Sequence, residues 1–446
     1  MAASKFASHQ FTLLVTLLSI VFLVLFCLFG RYSGEALPAG SAINDFANVS
    51  RNYPLLHDSH ALVLIGFGFL VTFLRRYGFS AIAINLLLVA FVLEVALLVR
   101  GFLSEGFSNN GVFTIALRDV AKADYTAAAV LVSYGAVVGK LTPIQYVILA
   151  LIEAPVSILN EHLVLNILGA GDVGGAIVVH FFGAIFGIVV ARIVFQPQHK
   201  HSEHQGSIYH SDIFSFIGTV FLWAFWPSFN SIFATRAVLN TFLALIGSTL
   251  TTFLFSQLVH KERRFNVKHI ASASLAGGVA SGAVATLFVT PFPALLLGIP
   301  TLAAKLNIHD TRGVFSLHAI PAIVGVFGSV FFLFLGNTEQ FGVSIRNIYP
   351  RHKYNTDDGR VQAEQALYQL AGLGATFAVA LVSGAITGLI IRLKIFRQVR
   401  EKEAYADADF FDVPEDYDFT TRVTSHIERV ELTEHTERTK LTNNEA

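Results

Sequence analysis

Along most of this chain, apolar residues come in long uncharged runs separated by short charged clusters. The first run, Phe11 to Gly30, is about one bilayer long, since a ~30 Å hydrocarbon core needs ~20 helical residues at 1.5 Å each. It is too long for the core of a secretory leader and has no clear small-residue cleavage site, so it reads as a retained span. Continuing the pattern predicts spans at 11–30, 59–74, 78–99, 122–139, 143–165, 174–195, 213–231, 238–259, 270–288, 289–304, 313–336 and 367–391. The expected fold is an all-α polytopic membrane protein with about twelve transmembrane helices.

The polar junctions set the orientation. Arg31 to Asp58 contains Asn48-Val49-Ser50, a glycosylation sequon at Asn48, which is weak evidence by itself for an external loop. With that loop outside, the inside junctions carry Arg75-Arg76, Lys140, Arg192 to Lys200, Lys261 to Lys268, Lys305 to Arg312, and Arg392 to Lys402. Basic inside loops are what membrane insertion favours, although 337–366 carries four bases on the outside. Both termini are then cytoplasmic.

Composition sharpens this picture. Only 14% of the 446 residues are charged and the mean hydropathy is +0.60. About 25% charged is usual for a soluble chain. A disordered chain is excluded, and an ordinary soluble enzyme is argued against. The net charge of zero has two opposed parts: residues 401–446 hold 13 acids against 5 bases, and residues 1–400 carry the matching basic surplus. Neutral charge argues against a nucleic-acid partner. Residues 1–400 form the expected membrane domain. Residues 401–446 are expected to be an acidic cytoplasmic tail, mostly disordered, with a short helix at 425–433 and an unknown partner. The single cysteine, Cys27, allows no intrachain disulfide and no cysteine-based metal site. Gly135/Gly139, Gly183/Gly187, Gly278/Gly282 and Gly384/Gly388 each put two small residues on one helix face, the spacing of close helix packing.

Two segments share one pattern. Asp172, Gly175, His180, Ala184, Ile185 and Gly187 recur at identical spacing as Asp310, Gly313, His318, Ala322, Ile323 and Gly325. These segments lie on spans six and eleven. An odd separation means opposite directions, so an inverted five-helix repeat relating spans 2–6 to spans 7–11 is expected, with a solute path at its interface. His180 and His318 sit about two turns inside apolar helices. Ionisable groups at that depth line a pathway or pair with one another. A buried neutral imidazole has one donor and one acceptor nitrogen, which suits a small polar solute or its proton. Asp172 and Asp310 fall at helix entrances, where a carboxylate capping the first turn is the favoured reading.

At these residues the chain resembles the Rh glycoprotein branch of the ammonium transporter family. The likeness covers nearly all of 10–400 and includes GFGFLVTFLRRYGFSA (66–81), GAVVGKLTPIQ (135–145), FLWAFWPSFNS (221–231), LAGGVASG (275–282) and HDTRGVFSLHAIPAIVG (309–325). The resemblance implies the ammonium transporter fold, a homotrimer with one pore per subunit, and conduction of ammonia or ammonium, with CO2 a second solute for some Rh members. It implies a multi-pass protein, expected in the plasma membrane; no cofactor is expected, and with no nucleotide-binding loop or nucleophile–base motif in the sequence, no enzymatic activity is expected. By resemblance, His180 and His318 are the twin pore histidines. Tyr125 and Phe229 are the outer gate, with Tyr125 a departure from the family's phenylalanine. Glu161 and Asp212 are vestibule acids. Trp223 and Trp226 flank the gate, and an interface belt is the preferred reading for both.

A second departure lies between His269 and Lys305, where 270–304 must supply two spans and a turn. Span ten is expected to be shortened and weakened by Pro291, Pro293 and Pro300. If it fails to cross, span eleven enters in the wrong direction and His318 cannot oppose His180. That leaves a non-transporting structural protein as the alternative. A metal transporter is the third reading, from His199, His201, His204 and His210, with a solvated polar loop preferred.

Overall fold

The computed structural model describes residues 2–37, 53–197, 199, 202–231, 235–299, 308–353 and 359–414. The glycosylation sequon at Asn48, His201 of the histidine-rich loop, part of span ten and the 425–433 helix lie outside the described residues.

The apolar runs become helices that pass back and forth between two ends of one bundle. In chain order they are α1 (Ala2–Phe29), α2 (53–70), α3 (Gly78–Phe102), α4 (Leu117–Val137), α5 (Pro143–Glu161) and α6 (Ala176–Phe181 continuing into Phe182–Val194). There follow α7 (Tyr209–Phe229), α8 (Thr235–Val259), α9 (Val267–Ala273), α10 (Ala276–Ser281), α11 (Pro291–Leu297), α12 (Phe315–Ala319 continuing into Ile320–Leu335) and α13 (Gln362–Ile391). Among the described residues, eight helices are long and apolar enough to span a bilayer. The others differ in kind. Helix α2 is interrupted by a π-helical stretch at Leu62–Gly66 and ends at Leu70. Helix α4 carries Arg118, Asp119, Lys122 and Asp124, yet all its residues from Ala123 to Val137 are buried. The ninth expected span is two short helices, α9 and α10.

In lipid, apolar area alone does not drive helices together, so small residues decide where they meet. A Cβ built on Gly183 would lie 2.4 Å from the Ala129 carbonyl oxygen, and one on Gly187 would lie 2.6 Å from Ser133 Cα. Helix α6 thus crosses α4 backbone to backbone. Gly384 and Gly388 make the corresponding approach of α13 to Phe186 and Ile193. Gly139 differs from its expected helical role. It lies past the end of α4 with φ +78°, where Tyr405 packs against it.

The acidic tail is corrected in part. Its first residues, to 414, are seated on the bundle rather than free. Tyr405 is fully buried, and its N–H donates to the Gly139 carbonyl at 3.0 Å. Asp407 accepts from the N–H groups of Phe79 and Ser80 at 2.9 and 2.8 Å, capping the start of α3. The membrane domain therefore does not end at 400.

Of span ten the described residues hold α11, seven residues and about 10 Å of helix, and 300–307 lie outside them. The consequence expected for span eleven does not follow. Asn240 of α8 holds the carbonyls of Ala285 and Phe288 near the start of α8, and α11 then lies against Ala244 to Ser248 in its middle. The chain reappears at the far end of the bundle, where Thr311 and Arg312 donate to the carbonyls of Ala136 and Gly135 of α4 at 3.3 and 3.2 Å. Span eleven therefore begins beside the end of α4, held there by two backbone hydrogen bonds.

Candidate functional site

Helices α6 and α12 enter the bundle from opposite ends, each through the same local device. Asp172 accepts from the N–H groups of Ile177 and Val178, both at 2.9 Å. Asp310 accepts from those of Gly313 and Phe315, at 2.9 and 3.0 Å. Gly175 and Gly313 take φ of +68° and +81°, a conformation that L side chains avoid, so the chain turns there into the helix. Both first turns are π-helical, Ala176–Phe181 and Phe315–Ala319. A π-turn re-aims side chains and is common at functional sites. Each of these two carries its histidine.

The two histidines meet at the bundle centre. His180 Nδ1 and His318 Nδ1 are 3.3 Å apart, the rings are nearly parallel at 18°, and both are buried. One N–H fits between two such nitrogens, so one ring donates and the other accepts. His180 Nε2 is buried without a hydrogen-bond partner. It is a polar atom that a small solute with N–H or lone-pair capacity would satisfy.

Aromatic rings extend the stack on both sides. Trp226 lies on His180 with centroids 5.4 Å apart, and Phe67 lies on His318 at 6.2 Å. The interface-belt reading of Trp226 is corrected: the residue is 1% exposed and its ring stacks on His180. Gly278 makes room for it, since a Cβ there would stand 2.8 Å from the indole. Trp223 is half-buried and donates to Thr249 Oγ1 at 3.1 Å. Phe67 carried no site signal in the sequence, because a phenylalanine in an apolar run looks like core.

Tyr125 and Phe229 face each other at 4.3 Å between centroids, and Phe229 lies 6.0 Å from His180. The Tyr125 hydroxyl donates to the Phe229 backbone carbonyl at 2.8 Å. It is therefore turned onto backbone, and it ties α4 to the end of α7. Glu161 is not a free carboxylate. Arg100 donates to both of its oxygens, at 3.0 and 2.5 Å, so little net negative charge remains there. Asp212, in the first turn of α7 at the opposite end, accepts from Ser207 at 3.1 Å. Of the histidine-rich loop, His199 accepts from the Gln196 N–H and His204 faces Arg76. Among the described residues no three His, Cys, Asp or Glu side chains are grouped to hold a metal.

The site is thus a buried pair of stacked imidazoles behind an aromatic pair, on two like-built helices. The sequence model of the Ammonium Transporter Family matches residues 16–410. The chain belongs to the ammonium transporter family. It is 38% identical over 431 residues to "Ammonium transporter Rh type B-B" of Xenopus laevis, covering 89% of this chain and 92% of that one. It is 38% identical over 433 residues to "Ammonium transporter Rh type B" of Sus scrofa, covering 92% and 93%. These relatives put this ammonium transporter family member in the Rh branch. Among solved structures it is similar to Rh50 of Nitrosomonas europaea, with 32% identity, a TM-score of 0.70, and coverage of 88% and 99%. Mep2 of Saccharomyces cerevisiae, at 19% identity and a TM-score of 0.66, shares the fold over 86% of this chain. The protein is thus a multi-pass membrane protein with the ammonium transporter fold.

Proposed function

We propose that this protein conducts ammonia, presented as ammonium, through a pore in each subunit lined by His180 and His318. The observation that carries the reading is the stacked histidine pair with a buried, unpartnered Nε2. Tyr125 and Phe229 form the gate, and the π-faces there offset part of the cost of stripping water from a cation. Beyond the gate the path is dry and aromatic, so the proton leaves before the neutral amine crosses. Asp172 and Asp310 hold the two entrances. Because Arg100 pairs with Glu161, Glu161 positions the vestibule wall rather than supplying a free charge.

The wider arrangement proposed with it is twelve crossings built as two inverted halves, with α2, α4, the α9–α10 pair and the α11 segment completing the eight long helices. Both termini are cytoplasmic, Asn48 is glycosylated outside, the location is the plasma membrane, and the assembly is a homotrimer. CO2 is a second solute to test.

The test is ammonium-driven flux in proteoliposomes containing the full chain. Wild type conducts, and His180→Ala with His318→Ala abolishes conduction without loss of inserted protein. Unchanged methylammonium uptake in that double variant sinks the assignment. The seven-residue α11 favours one rival, a structural membrane protein that no longer transports. Well-inserted wild type with no flux selects it.

A further inference from the structure

A second titratable pair stands beside the gate and is not used by the pore stack. Asp124 is next to Tyr125 in α4 and is completely buried. His60, in the first half of α2, places Nδ1 at 2.9 Å from Asp124 Oδ1. The His60 side chain is 33% exposed while that of Asp124 is 0%. Among the described residues no hydrogen bond to His60 Nε2 is formed. One side of the pair is therefore a fully buried carboxylate, and the other is an imidazole that is one-third exposed. A carboxylate 2.9 Å from Nδ1 favours the tautomer with its proton on that nitrogen and the lone pair on Nε2, and its charge balances the imidazolium that forms when Nε2 takes a proton.

The neighbours leave this role to His60. On its own helix, Asp58 is hydrogen-bonded by Ser228 of α7 and stands 3.7 Å from His57. On α4, Lys122 precedes Asp124 by two residues. Arg100 of α3 is committed to Glu161 of α5 and to Thr126. Asp124 is the one carboxylate within contact distance of His60 among the described residues.

We propose that His60, held by Asp124, is the group that takes the proton from ammonium at the mouth of the gate. An N–H bond of ammonium breaks and an Nε2–H bond forms on His60. Neutral ammonia passes Tyr125 and Phe229, the imidazolium is balanced by Asp124, and the proton returns to water at the vestibule. His60 is the proton acceptor and Asp124 its positioning residue. The inference rests on the conduction reading above.

The experiment compares His60→Gln, His60→Ala and Asp124→Asn in the full chain, by ammonium-driven flux into vesicles at two external pH values with inserted protein matched. One value is about 6, where ammonium dominates, and the other about 9.5, where the neutral amine is abundant. Each variant should lose at least about tenfold of wild-type flux at the lower pH, the scale of a lost general base. At the higher pH it should stay within about twofold, because the neutral amine needs no acceptor. External imidazole should restore His60→Ala at low pH. Loss by the same factor at both pH values, an unchanged profile, or failure of all three variants to insert overturns the proposal. Wild type without flux at either pH is failure of the conduction reading instead.

Discussion

Replacing Tyr125 by Phe removes one oxygen and keeps the ring. The ring contact at 4.3 Å to Phe229 is retained, so the change isolates the hydroxyl that donates to the Phe229 carbonyl at 2.8 Å. A neutral buried hydrogen bond contributes about 1 kcal/mol net. The bond joins α4 to the last residue of α7, so it holds together the two rings proposed as the gate. Losing about 1 kcal/mol from the closed contact raises the open fraction about fivefold while the gate stays mostly closed. If gate opening limits conduction, flux rises by up to that factor. The thermal midpoint falls by no more than about 2–4 °C, the shift that ~1 kcal/mol produces in a large domain. Flux is measured by stopped flow in vesicles at matched protein, and the midpoint in detergent. A variant with flux equal to or below wild type refutes the latch.

Gly183→Ala should cost at least about 1–3 kcal/mol of overpacking, because the new methyl meets the Ala129 carbonyl at 2.4 Å and backbone has nowhere to go; normal yield and midpoint in detergent would show that the crossing is looser than described. Asp407→Ala should lower the midpoint through loss of about 1 kcal/mol of capping at α3, and it should expose Arg76 and Tyr405 to limited proteolysis; no change in cleavage rate counts against the seated tail. Lys140 donates to the carbonyls of Ala136 and His309, and burial pulls its ammonium down to about 7. The unfolded chain then binds the extra proton between about pH 7 and the ordinary lysine value near 10.4, so native stability rises with pH in that window. The midpoint of wild type should gain on that of Lys140→Met between about pH 7 and 9, and a constant difference contradicts the burial.

The sequence by itself determined the class of molecule and singled out the two histidines that the fold brings within 3.3 Å of each other. Those readings rest on period and charge: uncharged runs of bilayer length define spans, and a repeated Asp–Gly–His spacing an odd number of spans apart defines two opposed helices. Capping at Asp172 and Asp310 was legible because a carboxylate before a first turn has few other places to bond. What only the tertiary structure decided is which polar groups are free. Glu161 looked like a vestibule charge until Arg100 was found on it, and Trp226 looked like an interface ring until Gly278 was found to admit it beside His180. His60 and Asp124 are 64 residues apart and gave no local pattern. The short α11 shows the same limit. Its prolines were readable, but not the contacts of Thr311 and Arg312 with α4 that hold the start of span eleven. A hydrogen bond or ring contact joins residues by distance in space, and one chain's spacing records only neighbours along a single helix.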